Sequence, residues 1–421
     1  MLKTFLTSCL LTTALTGHAF AQNIFIDNAK VVTGTGDGIL EITDIIIKDG
    51  AIVSLGADLS APDGAQIFDA EGQWVTSGLF LPYTQAGLVD ISGEARTNDT
   101  RASKSNTSVS EMGTDSFNPK ASAISVTRIE GITHAAIVPS ASHNIFGGIG
   151  FIANMSGEFD SVVDKNAFVF VQLGERGADL AGGSRSASLA QFRSALDDAS
   201  AFPSRYKSPT DGDTLSRKDA SALAKAARGA MPIVISVDRA VDILNVIEIK
   251  NEYGGLDIIL MGAADAWMVA NEIKAAGVKV MVDPHENLPS SFQAVGARAD
   301  NIILLDEAGV DYAIMNYTQD VGHNGRLLPQ HAGNAVGNGL SWDKAFAAIS
   351  TTPARWFGVK GGTIATGVDT LVVWDGDPLE VTVSPSFMMI DGNVQSLKSR
   401  QTELRDRYNP LSKETKPHKY R

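Results

Sequence analysis

Residues 75–91 read Val-Thr-Ser-Gly-Leu-Phe-Leu-Pro-Tyr-Thr-Gln-Ala-Gly-Leu-Val-Asp-Ile. The stretch closes a series of short β-type segments and opens a long α/β region. Its apolar half, 78–83, is a buried-strand candidate that ends on Tyr83, with Gln85 two places further on. Which side chains stand at the end of this strand decides what chemistry the following region can support.

Upstream, Ala29–Thr33, Asp44–Lys48, Ala51–Leu55 and Gln66–Asp69 are apolar or alternating runs. Turn chemistry separates them: Gly-Thr-Gly-Asp-Gly at 34–38, Asp49-Gly50 and Pro62-Asp63-Gly64. The same texture returns near the other end. Gly367–Trp374 is a strand candidate, 375–378 is a turn, and Phe387–Ile390 precedes Asp391-Gly392. Two β-rich ends enclosing an α/β middle predict one small β-sandwich, built from 22–75 and 362–397.

Downstream, strand candidates alternate with helical stretches. The strands are Thr133–Val138, Phe168–Leu173, Ile233–Val237, Asp257–Met261, Lys279–Val282 and Tyr312–Met315, with 78–83 and 149–153 as further members. The helices include Ala187–Ala199, Asp219–Ala230, Ala240–Glu252, Ala264–Ala276 and Ser341–Ser350. Val/Ile-rich strands alternating with Ala-rich helices argue for a parallel sheet. Eight such units fit 76–361 as a (β/α)8 TIM-type barrel, so the fold class is α/β. Residues 92–122 break the rhythm, being rich in Ser, Thr, Asn and charge. They are either a disordered insertion or a lid over the barrel mouth. Gly147-Gly148-Ile149-Gly150 is too short for a phosphate-binding loop and reads as a turn.

Several blocks carry a family resemblance. Ile45–Ile52 is similar to the opening hairpin of the amidohydrolase superfamily, close to the imidazolonepropionase-like branch. Gly362, Ile364, Gly367 and Leu371–Pro378 resemble its closing block, with Thr370 where Asp is usual. Gly339-Leu340-Ser341, Ala345, Thr352-Pro353-Ala354 and Gly358-Val359 resemble its last barrel helix and exit. Gly182–Arg185, Asn287-Leu288-Pro289 and Ala332–Val336 add further similar blocks. The resemblance implies an enzyme that hydrolyses C–N bonds with a metal held at the strand ends. In the family, residues 77–85 would read Pro-Gly-apolar-apolar-Asp-x-His-x-His. Here Ser77-Gly78 replaces Pro-Gly, and Leu81, Tyr83 and Gln85 take the Asp and His places. Further along, Ser236, Gly262 and Asn316 fall where the resemblance implies metal-binding His, His and Asp. A phenol and an amide are poor ligands beside imidazole, thiolate or carboxylate. The resemblance therefore implies a hydrolase scaffold with its metal ligands substituted, and no metal or other cofactor is expected.

Other residues offer chemistry. His134 lies within an apolar strand and reads as a packed core histidine. His143, His285 and His323 follow strands, on the face where barrel sites form. A relocated metal site from His285, His323 and a carboxylate would lack the short spacing of a specific ligand pair. Glu175, Asp238 and Asp283 should project near the mouth, where carboxylates with separated pKa values do acid–base work. His285 and His323 could assist. Arg176 and Arg239 adjoin two of these acids, so ordinary ion pairing explains them as well. Ser184 reads as a helix cap rather than a nucleophile.

The bulk properties bound the setting. Lys3, the apolar run Phe5–Leu15 and Ala19-Phe20-Ala21 predict a signal peptide over 1–21 and a periplasmic or secreted protein. Cys9, the only cysteine, would leave with it. The formal charge of −13 argues against a nucleic-acid partner. No later run is long enough for a membrane span. From Lys398 to Arg421, eight Lys/Arg face three Asp/Glu. This basic tail, 398–421, is either a solvated end or a strap against the acidic body. Two functions stay open: a hydrolase of small-molecule or peptide-like C–N substrates, or a catalytically silent barrel. The silent barrel would bind a ligand, or partner another copy or a related barrel.

Overall fold

The computed structural model describes residues 23–35, 38–207, 214–317 and 321–409. The signal-peptide expectation and the tail from 410 onward lie outside the described residues.

Strands from both ends of the chain share one sheet. They are β1 (Ile24–Val32), β2 (Ile39–Lys48), β3 (Ala51–Gly56), β4 (Gln66–Asp69) and β5 (Trp74–Thr76), joined by a late group. The second sheet holds β6 (Leu79–Thr84), β7 (Ile132–Ile137), β8 (Phe146–Asn154), β9 (Val162–Gln172), β10 (Ile233–Val237), β11 (Ile258–Gly262), β12 (Lys279–Val282) and β13 (Tyr312–Ile314). The late group is β14 (Leu371–Trp374), β15 (Pro385–Ile390) and β16 (Asn393–Val394). The first sheet has the order β16-β15-β14-β5-β1-β2-β3, with β4 also beside β1. Ile24, Ile26, Ile45, Ile47, Val75, Leu371, Val373 and Met389 form its core. Asp49-Gly50 and Asp391-Gly392 are two-residue hairpin loops whose residues all have positive φ, as this turn class requires. The two tips abut: a Cβ on Gly50 would come within 2.7 Å of Gly392 Cα. Glycine is needed there for space as well as for backbone angle.

The second sheet is a nearly closed barrel of eight strands in sequence order. One expectation fails. β8 runs antiparallel to β7 and β9, so β7–β8–β9 is a meander and not part of a run of helix-linked units. The connections around β8 are too short to hold a crossover helix, which is what parallel pairing would need. The glycines at 147–150 lie inside β8 rather than in a turn. They permit close approach: a side chain at Gly150 would strike the Phe168 ring on β9.

The helices are α1 (Ser122–Arg128), α2 (Gly174–Leu180), α3 (Arg185–Ser200), α4 (Arg217–Ala227), α5 (Ala240–Tyr253), α6 (Ala270–Ala275), α7 (Asn301–Glu307), α8 (Leu328–Gly337), α9 (Trp342–Ala348), α10 (Thr351–Trp356) and α11 (Arg400–Tyr408). The helix expected over Ala264–Ala276 is split into a 3-10 turn, Ala266–Val269, and α6. Ser184 caps α3 through Ala187 N–H, as the sequence indicates. Of the basic tail, residues 398–409 are described, and the helix there is exposed to solvent. Ser399 and Thr402 form a capping box that starts α11, which packs against α1. Inside the barrel, Phe80, Phe168, Phe170, Val234, Ile259, Met261 and Met281 fill the space. Burying each such side chain contributes roughly 1.5–3 kcal/mol. Phe357, just after α10, stacks on Phe80 at 5.7 Å and meets Phe168 at 5.4 Å. Phe80 N–H donates to Ile349 O, where β6 and β13 leave the barrel open.

Candidate active site at the barrel mouth

Asp238 follows β10 directly, at the strand end that faces the mouth. Its Oδ2 accepts from Gln293 Nε2 at 2.6 Å, and Ala264 N–H makes a long 3.5 Å contact to Oδ1. Arg239 does not neutralise it; that guanidinium pairs with Asp242 at 3.1 Å. Burial, then the negative charge of Glu286, with Asp265 and Glu175 adding to it, pushes the Asp238 carboxyl up to about 7. Glu175 lies close enough to act on Asp238, and its own partner is Arg185 at 3.6 Å rather than Arg176. Glu286 is also raised, by burial first and then by the Asp283 charge, while Ser290 donates to it in opposition.

Asp283 follows β12 and is deeply buried. His331 Nδ1 sits 2.6 Å from its Oδ1, His285 N–H donates to the same oxygen at 2.9 Å, and Tyr317 N–H donates to Oδ2 at 3.0 Å. The exposed His285 ring faces the His331 ring at 5.6 Å. Tyr317 links the two acids. Its backbone serves Asp283, while burial, then the charges of Asp238 and Glu286, raises its phenol.

Of the residues singled out in the sequence, Glu175, Asp238, Asp283 and His285 thus share one network. His323 lies elsewhere. Its Nδ1 is 3.2 Å from Ser92 Oγ, and it lines a cleft of about 460 Å³ with Glu130, Arg326, Thr402 and Arg405. His134 is the packed histidine expected, held by Thr133 Oγ1 at 3.2 Å and Asp391 at 3.6 Å. Its hydrogen bond holds the Asp391 carboxyl below its ordinary value. Sequence reading noted Glu286 beside His285 and His331 among the barrel histidines but gave neither a site role, and it did not single out Gln293 or Tyr317. A usable signal was the length of the loop after β12, which has no regular structure before α7.

Residues 92–122 are laced to the strand-end loops, β8 and α4. Asp99 N–H donates to Leu88 O, Ser140 N–H to Thr100 O, and Met112 bridges to Ile149 on β8. Val109 is fully buried. Asp219 at the start of α4 accepts from Ser108 N, Ser110 N and Ser110 Oγ at 2.7–3.1 Å. Burial alone would raise its carboxyl, but these bonds and one from Ser216 outweigh that and lower it. An insertion with such anchors is packed structure, not a loose excursion.

The positions that the resemblance assigns to metal ligands are committed to other contacts. The Tyr83 phenol is buried against Tyr317 at 5.6 Å and is pushed well above its ordinary range, so it stays neutral. Gln85 Nε2 donates to Ser140 Oγ at 2.6 Å, and Ser236 Oγ accepts from Gln172 Nε2 at 3.1 Å. Asn316 Nδ2 donates to Asn324 O at 2.5 Å. Gly262 has φ +93°, and a Cβ there would lie 2.5 Å from Asp238 Oδ1. Asp238 in this position and any side chain at 262 exclude each other. Among the described residues, no three His, Cys, Asp or Glu side chains gather as a metal-holding group. His285, His323 and a carboxylate therefore do not come together as the relocated set.

Comparison with known proteins gives the following likenesses. Amidohydrolase tasK of Hapsidospora irregularis is 25% identical over 429 residues, covering 89% of this chain and 43% of that protein. A dihydroorotase of Geobacter sulfurreducens is 44% identical over 58 residues, 14% of this chain and 13% of the enzyme. The chain thus spans less than half the length of the curated relatives it matches. An amidohydrolase from Thermotoga maritima MSB8 has the same fold, with TM-score 0.79, 21% identity, and 88% and 99% of the two chains covered. Molinate hydrolase aligns with TM-score 0.54 at 15% identity over 95% and 98%. No family model matches. The relatives support the amidohydrolase superfamily. Among the described residues, no helix is long and apolar enough to cross a membrane.

Proposed function

We propose that this chain is an exported amidohydrolase-type hydrolase of non-peptide or N-acyl C–N bonds, of the imidazolonepropionase-like branch, acting without the family's metal. The observation that carries the reading is Asp238, poised near 7 in space that a ligand at position 262 would otherwise need. As a carboxylate, Asp238 takes a proton from water as the water oxygen bonds to the carbonyl carbon. As the carboxylic acid, it returns that proton to the nitrogen as the C–N bond breaks, leaving an acid and an amine. A group titrating near the working pH can serve both steps. Glu175 and Glu286 sustain the raised value, while His285 and Asp283 order the neighbouring loop.

A screen of N-acyl amino acids, dipeptides and cyclic amides tests this on the wild type and Asp238→Asn. The expected loss on substitution is at least about 100-fold. Equal rates in both proteins would favour the second reading, a silent binding or partner barrel, which the closure of Gln293 onto Asp238 supports. Elemental analysis of desalted protein should find well under one Zn, Mn or Fe per chain. One tightly held metal, lost on His285→Ala, would overturn the metal-free reading. N-terminal sequencing from the native host should begin at Gln22; intact Met1 would remove export.

A further inference from the structure

Gln293 treats the barrel mouth as a ligand would. Its carboxamide is held at both ends: Oε1 accepts from the backbone N–H of Glu175 at 2.7 Å, and Nε2 donates to Asp238 Oδ2 at 2.6 Å. Each half of the amide thus meets the partner of opposite polarity, at short distance. Gly174, at φ +66°, leaves room for it, since a Cβ there would strike Gln293 Oε1. The residue that fills this seat comes from the long loop between β12 and α7, not from the walls of the barrel.

That loop is unusual on its outer side. Phe292, directly before Gln293, is 91% exposed, Leu288 74% and Val295 67%. It is pinned inside by few contacts: Ala294 is buried, Trp267 Nε1 donates to Gly296 O, and Ser290 donates to Glu286. Removing Gln293 would leave Asp238 with only the long Ala264 contact and the Glu175 N–H without its acceptor. A buried or half-buried pair of this kind needs an occupant of matching polarity.

We propose that the mouth of the barrel is a carboxamide seat, kept closed by the chain's own Gln293, and that its external ligand is a primary carboxamide on a short flexible arm. A glutamine side chain, free or in a peptide, has this chemistry. The inference rests on the reading of this mouth as the place of C–N chemistry and deepens it to a ligand class and a gate. An ester or a fully substituted amide offers the carbonyl but cannot donate to Asp238. A carboxylate would meet Asp238, Glu175, Glu286 and Asp265 and be repelled.

Binding of propanamide, the Gln293 side chain in isolation, tests the seat by ligand-observed NMR on the full chain. Removing an internal competitor raises apparent affinity by the reciprocal of the fraction of seats it had left open. Gln293→Ala should bind propanamide at least ten-fold more tightly than wild type. In that variant, N,N-dimethylpropanamide should bind at least ten-fold more weakly than propanamide. Hydrogen exchange at the Glu175 amide should quicken in Gln293→Ala and slow again when propanamide is added. Equal propanamide affinity in wild type and variant overturns the inference, as does equal affinity for the two amides. Ammonia release is read separately. Tight binding without ammonia keeps the seat and removes hydrolysis; turnover by the wild type with unchanged binding in Gln293→Ala keeps hydrolysis and removes the seat.

Discussion

Asp238 and Asp283 stand one strand apart at the ends of β10 and β12, yet their surroundings differ in kind. Asp283 is held by His331 Nδ1, His285 N–H and Tyr317 N–H, so both oxygens are engaged within 3.0 Å. Asp238 has one neutral amide donor at 2.6 Å, and Glu286, Asp265 and Glu175 around it. The same residue type at equivalent places in one barrel therefore does two jobs. Donors make Asp283 a fastening for the loops that carry His285 and Tyr317. Their scarcity at Asp238 leaves burial and the neighbouring charges to raise its carboxyl. Strand position supplies the location, and the loops that fold onto it decide the chemistry.

The largest effect that separates the two is on stability. Asp283→Asn keeps the shape but sets an amide N–H₂ against N–H donors, leaving at least one buried group unpaired. It should destabilise the fold by about 2–4 kcal/mol, measured by urea denaturation at pH 7. A loss under about 1 kcal/mol would break the contrast, because Asp283 would then be no fastening.

Asp238→Asn should move stability the other way. The native carboxyl titrates near 7, against an ordinary value of 3.8. Between those values the folded state holds a proton that the unfolded state has lost, so wild-type stability falls as pH rises through the window. Below about pH 4 both states are protonated, and the substitution gains nothing. Above about pH 7 the buried charge is fully present in the wild type and absent in the variant. The variant should then be more stable by about 1–3 kcal/mol. Denaturation at pH 4.5, 6 and 8 checks the sign; a difference that does not grow with pH would remove the strained carboxylate.

The barrel was legible because its strands are near-continuous apolar runs. Ile233–Val237 and Lys279–Val282 end where the sequence ends them, and the hairpin tips at 49–50 and 391–392 declare themselves by residue type. The direction of β8 was not legible, because a buried apolar strand has the same pattern in either orientation. Glu175, Asp238 and Asp283 could be placed by strand ends alone. Their partners could not. Gln293 is 55 residues from Asp238, and His331 is 48 from Asp283. Gln293 lies in an irregular loop, where no periodicity marks an inward-facing side chain, while His331 shares the buried face of α8 with Leu328, Ala332 and Ala335, a pattern that reads as packing and names no partner. His323 was misplaced for a related reason: following a barrel strand does not fix which way a loop then turns, and Ser92 and the α11 side hold it.

The smallest effect sharpens the contrast most, because it asks which neighbour sustains Asp238. After burial, the charge of Glu286 is the largest influence on it, ahead of Asp265 and Glu175. Glu175 is already partly offset by Arg185 at 3.6 Å. Removing the Glu286 charge should therefore lower the Asp238 midpoint more than removing that of Glu175. For Glu286→Gln the decrease should be about half a pH unit, and for Glu175→Gln smaller still. Glu286 is itself raised, so the wild-type curve should be shallower than that of a single site, while Glu286→Gln should sharpen it. The carboxyl ¹³C resonance of Asp238, followed from pH 4 to 9, reads both midpoint and slope. If neither variant moves the midpoint, burial alone sets it. The cluster would then be a set of bystanders, and the difference between the two aspartates would reduce to the donors they receive.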